Sequence, residues 1–100
     1  MLTAVALADQ WNDLQAELGG DWADAQVRLT FADPATASRA FALLGPVNPG
    51  RSGEELRIYV VRRGTGVHAA AVGRALARLD RDGIDGTLAL AGSTQAPPAP

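Results

Sequence analysis

The residues with the greatest potential for chemistry lie in one short stretch, VVRRGTGVHAAAV, at positions 60–72. Two arginines precede a Gly-Thr-Gly turn, and the chain's single histidine follows at the start of an alanine-rich segment. Backbone N–H groups at the start of a helix attract anions, and guanidinium groups bind phosphate and carboxylate. The stretch therefore suggests an anion site, with these candidate residues: Arg62, Arg63, Gly64, Thr65, Gly66 and His68.

An ordinary strand-to-helix turn explains the same stretch. The dinucleotide pattern Gly-x-Gly-x-x-Gly is incomplete, because no third glycine follows Gly66 at the required spacing. A P-loop is excluded because the chain contains no lysine. Thr65 is a suitable N-cap residue for the helix that follows. We interpret the stretch as a capped turn and keep the anion site as the alternative.

Catalysis and metal binding find little support in the sequence. His68 could act as a general base only with a group to orient it, such as Asp33 or Ser93. No set of nucleophile, base and orienting group can be assembled, so no catalytic residue is assigned. One histidine and no cysteine argue against a transition-metal site, and no cofactor is predicted. The sequence favours a protein that is not an enzyme.

Length and charge restrict the class of protein. A chain of 100 residues forms one domain, which we assign to residues 1–92, with a disordered Pro/Ala-rich tail at 93–100. A net charge of −2 without a basic run argues against binding nucleic acid or anionic membranes. The N-terminal segment has neither a signal peptide's basic region nor a membrane span's length. We therefore expect a cytoplasmic protein.

Hydrophobic periodicity predicts three helices and three strands in alternation. Apolar residues at helical spacing predict helices at about 3–18 and 66–80, and Asp33-Pro34 predicts the start of a third at 34 that ends near 44. Alternating runs predict strands that open at Val27, Leu56 and Ile84. Helical crossovers favour parallel pairing. We predict a two-layer α/β domain of order α-β-α-β-α-β, with a three-stranded, mainly parallel sheet and the helices mostly on one face. A mixed, ferredoxin-like α+β sandwich is the alternative.

One face of this sheet would stay uncovered by helices. In the parallel arrangement this face has three rows of side chains: a charged row, a row of two threonines around Tyr59, and a row of small apolar residues. A surface whose polarity falls along the strands in this way suits contact with another protein chain. The predicted function is thus self-association as a homodimer, or contact with another protein, through this face or a strand edge. The candidate interface residues are Thr30, Tyr59, Val61 and Thr87.

Three arginines form a stripe on the third predicted helix. Arg74, Arg78 and Arg81 follow the spacing i, i+4 and i+7, and such a stripe could bind phosphate or an acidic partner. Three aspartates, at positions 80, 82 and 85, lie beside it in the sequence. We expect them to neutralise much of the stripe and interpret it as a solvated helix face.

Overall fold

The structure, a computed structural model, describes residues 5–20, 22–62 and 65–95, of which 93–95 by their backbone only. In this part of the chain the helices are α1 (Leu7–Leu18), α2 (Pro34–Leu43) and α3 (Ala69–Arg81). The strands are β1 (Trp22–Thr30), β2 (Gly50–Ser52), β3 (Glu55–Val61) and β4 (Thr87–Gln95). A 3₁₀ turn, Gly45–Val47, follows α2.

The described strands form one four-stranded sheet in the order β2-β3-β1-β4, and every neighbouring pair is antiparallel. The prediction of a three-stranded, mainly parallel sheet is therefore wrong. The mixed sheet of the alternative is not observed either. After α1 the chain order is β-α-β-β-α-β, the arrangement of split β-α-β folds such as the ferredoxin-like ones.

A short additional strand accounts for this correction. Residues of the segment predicted as a turn-rich loop form β2, which pairs with β3 through a turn at Gly53, whose φ is +63°. Each helical crossover still joins two strands of like direction, β1 to β2 and β3 to β4. A strand of the opposite direction lies between the members of each pair, so that all neighbours in the sheet are antiparallel.

The hydrophobic core lies between one face of the sheet and the helices. Alternate residues of the two central strands are fully buried, among them Val27 and Leu29 of β1 and Ile58 of β3. Trp11 of α1 belongs to this core and is only 1% exposed. Its indole N–H donates to the carbonyl oxygen of Ala69 at 3.1 Å, which ties α1 to the start of α3.

Helices α1 and α2 are capped at their N-terminal ends in different ways. The side chain of Asp33 accepts a hydrogen bond from the backbone N–H of Thr36 at 2.7 Å, so the predicted start of α2 is confirmed. The start of α1 is capped from a distance instead, since the carboxylate of Asp80 accepts the N–H groups of Leu7 at 2.8 Å and Ala8 at 3.0 Å. Asp80 lies near the end of α3, and its contacts hold α1 against that helix.

The first residues of the segment assigned to the tail belong to the sheet. Strand β4 extends to Gln95, three residues into the segment assigned to the tail, because Ser93 and Thr94 pair with β1. The remainder of that segment, 96–100, lies outside the described residues.

Candidate functional site

The predicted anion loop is attached to the sheet at both ends. The N–H of Val61 donates to the carbonyl oxygen of Val67 at 2.8 Å, and Val61 forms a parallel bridge with His68. The N–H of Arg62 donates to the carbonyl oxygen of Ala23 at 3.0 Å. Thr65 and Gly66 are exposed between these anchors. The other two predicted residues of the loop, 63 and 64, lie outside the described part of the chain.

Helix α3 begins three residues later than predicted, and this changes the role of Thr65. His68, not Thr65, occupies the N-cap position, and its exposed side chain makes no capping hydrogen bond within the described residues. The first N–H groups of α3 therefore receive no hydrogen bond from the side chain of this residue. A helix start that binds an anion needs such free N–H groups. The described loop thus offers Arg62, an exposed imidazole and the start of a helix.

The antiparallel sheet places the two groups expected to assist His68, Asp33 and Ser93, at opposite ends. Asp33 follows the end of β1, which lies at the opposite end of the sheet from the end of β3. The hydrogen bond from the backbone N–H of Thr36 holds the pKa of the Asp33 carboxyl below its usual value. Ser93 pairs with Ala25 near the loop's end of the sheet. The carboxylate of Asp33 is therefore not available to orient the imidazole of His68. It caps the start of α2 instead.

The open face of the sheet divides the four predicted interface residues into two groups. Thr30 and Thr87 are direct partners across β1 and β4, and the Thr30 hydroxyl lies 3.5 Å from the carbonyl oxygen of Thr87. Tyr59 is opposite Gln26, four residues along β1 from Thr30, which corresponds to about 13 Å. Val61 lies beyond Tyr59 on the same strand. The predicted interface is therefore not one contiguous patch.

Charged groups on this face pair with one another. Glu55 binds the guanidinium of Arg57 at 3.0 Å and approaches that of Arg28 at 3.6 Å, and Arg28 and Arg57 are directly opposite in the sheet. A hydrogen bond to the carboxylate of Asp24 raises the pKa of the Tyr59 phenol. Most of the face's charge is thus satisfied internally, as expected of a solvated surface.

The two edges of the sheet differ in length and chemistry. Strand β2 has three residues, all exposed, and includes Arg51; short, charged edges resist pairing with other chains. Strand β4 has nine residues with the sequence TLALAGSTQ, which contains neither a charge nor a proline. The sequence predicted a contact through a strand edge without indicating which strand forms it. This uncharged run was the signal that could have identified it.

The side chain of Gln10 covers the first part of the β4 edge. Its amide oxygen accepts the N–H of Leu88 at 2.8 Å, and its amide nitrogen donates to the carbonyl oxygen of Gly86 at 3.0 Å. Because the N–H of Leu88 points away from β1, that of Leu90, two residues on, does the same. Leu90 is 38% exposed, and with Leu88 it lines a groove of about 380 Å³ beside α1. The edge of β4 thus exposes Leu90, Ala91 and Gly92, and none of the three carries a charge.

Comparisons with protein-family models, with curated proteins and with solved structures gave no match. None of the helices in the described segments has the length and hydrophobicity that crossing a bilayer requires. The described residues also contain no cluster of three or more histidine and carboxylate side chains that could hold a metal ion.

Proposed function

We propose that this chain is a non-enzymatic interaction module that self-associates by pairing the β4 edges of two copies. The observation that supports the proposal is the nine-residue, uncharged strand at the sheet's edge. Long edge strands without lysine, proline or another charge are templates for pairing with a further strand. An antiparallel pairing across a two-fold axis would join two sheets into one of eight strands.

Backbone and side-chain contacts would both contribute to this pairing. The outward N–H and C=O groups of β4 would form the ladder, while Leu90 would be covered by the partner's strand. The bulge at Ala91, where β4 has one residue more than β1, increases the local twist of the strand. Gln10 occupies the outward groups near Leu88, so the pairing would be centred on the second half of β4.

The open face is a weaker candidate for the contact than the edge. Burying it would remove water from the ion pairs that Glu55 makes with Arg28 and Arg57, and the desolvation of charges opposes association. The four residues proposed from the sequence, Thr30, Tyr59, Val61 and Thr87, would then lie outside the contact rather than at its centre.

Sedimentation velocity and native mass spectrometry test the proposal with matched variants. Leu90→Lys places a charge on the edge, and Ala91→Lys does so at an exposed residue that contributes little to the core. Tyr59→Glu places a charge at the centre of the open face. We expect a dimer for the original chain and for Tyr59→Glu, and monomers for both lysine variants, each with an unchanged circular dichroism spectrum.

Two outcomes would contradict the proposed pairing through the β4 edge. If Tyr59→Glu is monomeric while both lysine variants remain dimeric, the face carries the contact. If the original chain is monomeric at every accessible concentration, self-association itself is wrong.

The alternative function, an anion site on the loop 62–68, remains a proposal supported by the uncapped start of α3. Inorganic phosphate and nucleotides should then raise the unfolding temperature, and Arg62→Ala should abolish the increase. A ligand at 100 times its dissociation constant adds about 2.7 kcal/mol to the free energy of unfolding. If none of these anions raises the unfolding temperature, the result argues against the site. For either function the proposed location is the cytoplasm, which fits a chain without cysteine and hence without disulfide bonds.

A further inference from the structure

A second surface, separate from β4, combines positive charge with an apolar floor. It is a groove of about 290 Å³ between α3 and the end of α2. Arg74, Arg78 and Arg81 of α3 line one side of it. The remaining lining residues are small or apolar: Leu43, Pro46, Val47, Ala71 and Ala75. We call this surface the arginine groove.

The aspartates expected to neutralise these arginines form no ion pair with them within the described residues. Asp80 directs its carboxylate to the N–H groups at the start of α1, on another side of α3. Asp82 forms the C-cap of α3, and Asp85 follows in the connection to β4. Within residues 5–20, 22–62 and 65–95, every ion pair closer than 4.0 Å involves Glu55. The three arginines are exposed, as a solvated face requires, but no ion pair with these aspartates is found among the described residues.

We infer that the arginine groove binds an acidic amphipathic helix of a partner protein. Charge complementarity supports this occupant, since three exposed guanidinium groups face one groove without a carboxylate partner among the described residues. Arg74 and Arg81 are seven residue steps apart in α3, about 10 Å along its axis. A helix with carboxylates at i, i+4 and i+7 repeats that spacing and presents one carboxylate to each arginine.

The apolar floor selects against a small anion. A phosphate ion would bind the guanidinium groups but leave the accessible parts of Leu43 and Pro46 in the groove without a contact. An amphipathic helix places leucine or similar side chains in such a groove beside its charged residues. The inference concerns a different surface and a different partner from the proposed pairing of β4, so either can fail without the other.

A synthetic peptide of about 18 residues, long enough to form a helix, serves as the probe. It carries glutamates at i, i+4 and i+7 beside a stripe of leucines and a fluorophore at one end. Its control has glutamine in place of every glutamate. Binding to the full chain is followed by fluorescence anisotropy. The tested variant is Arg78→Glu, and Arg39→Glu, on the exposed surface of α2 outside the groove, changes the net charge equally.

We expect the glutamate peptide to bind, with an affinity that falls as salt is added, and the glutamine peptide to bind far more weakly. Arg78→Glu should weaken binding about tenfold, because an attraction becomes a repulsion, while Arg39→Glu changes it little. Equal losses in both variants would mean attraction by net charge alone and would overturn the inference. So would binding of neither peptide, or equal binding of both.

Two further outcomes separate this inference from the proposed pairing of β4. If the peptide does not bind but Arg78→Glu abolishes self-association, the groove receives a second copy of this chain. If the chain is monomeric and the peptide binds as expected, the pairing of β4 fails while the arginine groove stands.

Discussion

The contact between Asp80 and the start of α1 leads to a quantitative prediction about stability. Ala6, at the N-cap position of α1, supplies no capping side chain within the described residues. The carboxylate of Asp80 accepts two N–H groups there, from Leu7 at 2.8 Å and Ala8 at 3.0 Å, across more than seventy residues of sequence. Asp80→Ala removes both acceptors together and leaves two part-buried donors without their partner.

The expected loss follows from known contributions of such bonds. A hydrogen bond to a charged group contributes about 1.5–3 kcal/mol, and loss of an N-cap costs about 0.5–2 kcal/mol. Because both donors are only part-buried, water replaces some of the interaction, and we expect Asp80→Ala to lower the free energy of unfolding by about 2 kcal/mol. At 4–8 °C for each kcal/mol in a domain of this size, the melting temperature should fall by roughly 8–16 °C. Asp80→Asn keeps one acceptor oxygen and should lose about half as much.

Urea unfolding followed by tryptophan fluorescence measures this effect, because the buried Trp11 of α1 reports the separation of that helix. Asp82→Ala is the matched control, since it removes a carboxylate two residues away that is exposed. All variants are compared at one protein concentration so that self-association contributes equally. If Asp80→Ala and Asp82→Ala differ by less than about 0.5 kcal/mol, the long-range cap does not stabilise α1 as argued.

Two further predictions concern single positions in the fold. Gly86→Ala should destabilise the chain by about 1–3 kcal/mol, because a Cβ there would lie 2.9 Å from the ring of Phe31, whereas Gly92→Ala has open space and should be nearly neutral in the same urea titration. Asp33→Ala should lower stability more at neutral pH than in acid, because the pKa of Asp33 is lowered in the folded state. The native carboxylate thus stabilises the fold above its usual pKa, and the benefit is lost as the pH falls through the native value. Urea midpoints at pH 7 and at about pH 2.5 measure the change, and an equal difference at both pH values would contradict it.

Local signals in the sequence predicted most of the helices and the central strands. The end of α1 was predicted at residue 18, as observed, because the Gly19 that follows has a φ of +75°, which suits glycine. The start of α2 followed from Asp33 and Pro34. These features depend on neighbouring residues, whose backbone preferences can be read directly from the chain.

The sheet order depends on a strand that carries no such signal. Residues Gly50–Ser52 are all exposed, so they show no alternation of apolar and polar side chains, and their pairing with β3 arises from the turn at Gly53. Without β2, a helical crossover implies parallel neighbours, and the parallel arrangement placed Asp33 beside His68. Because β2 lets β3 run antiparallel to β1, Asp33 lies at the opposite end of the sheet from His68, and the proximity expected of these two residues is not observed.

The arrangement of charges around α3, in contrast, could have been predicted from the sequence. Asp80 is close to the arginines along the chain, but the helix turns it to another side. Each residue advances about 100° around an α-helix, so Asp80 lies roughly 100–160° from Arg74, Arg78 and Arg81 around the axis of α3. Aspartate and arginine neighbours in sequence therefore face different elements, α1 for Asp80 and α2 for the arginines. Counting charges predicted a neutral stripe, whereas helical phase predicts two separate faces. Asp80 holds α1 against α3, whereas the three arginines on the other side of α3 stay exposed along the groove.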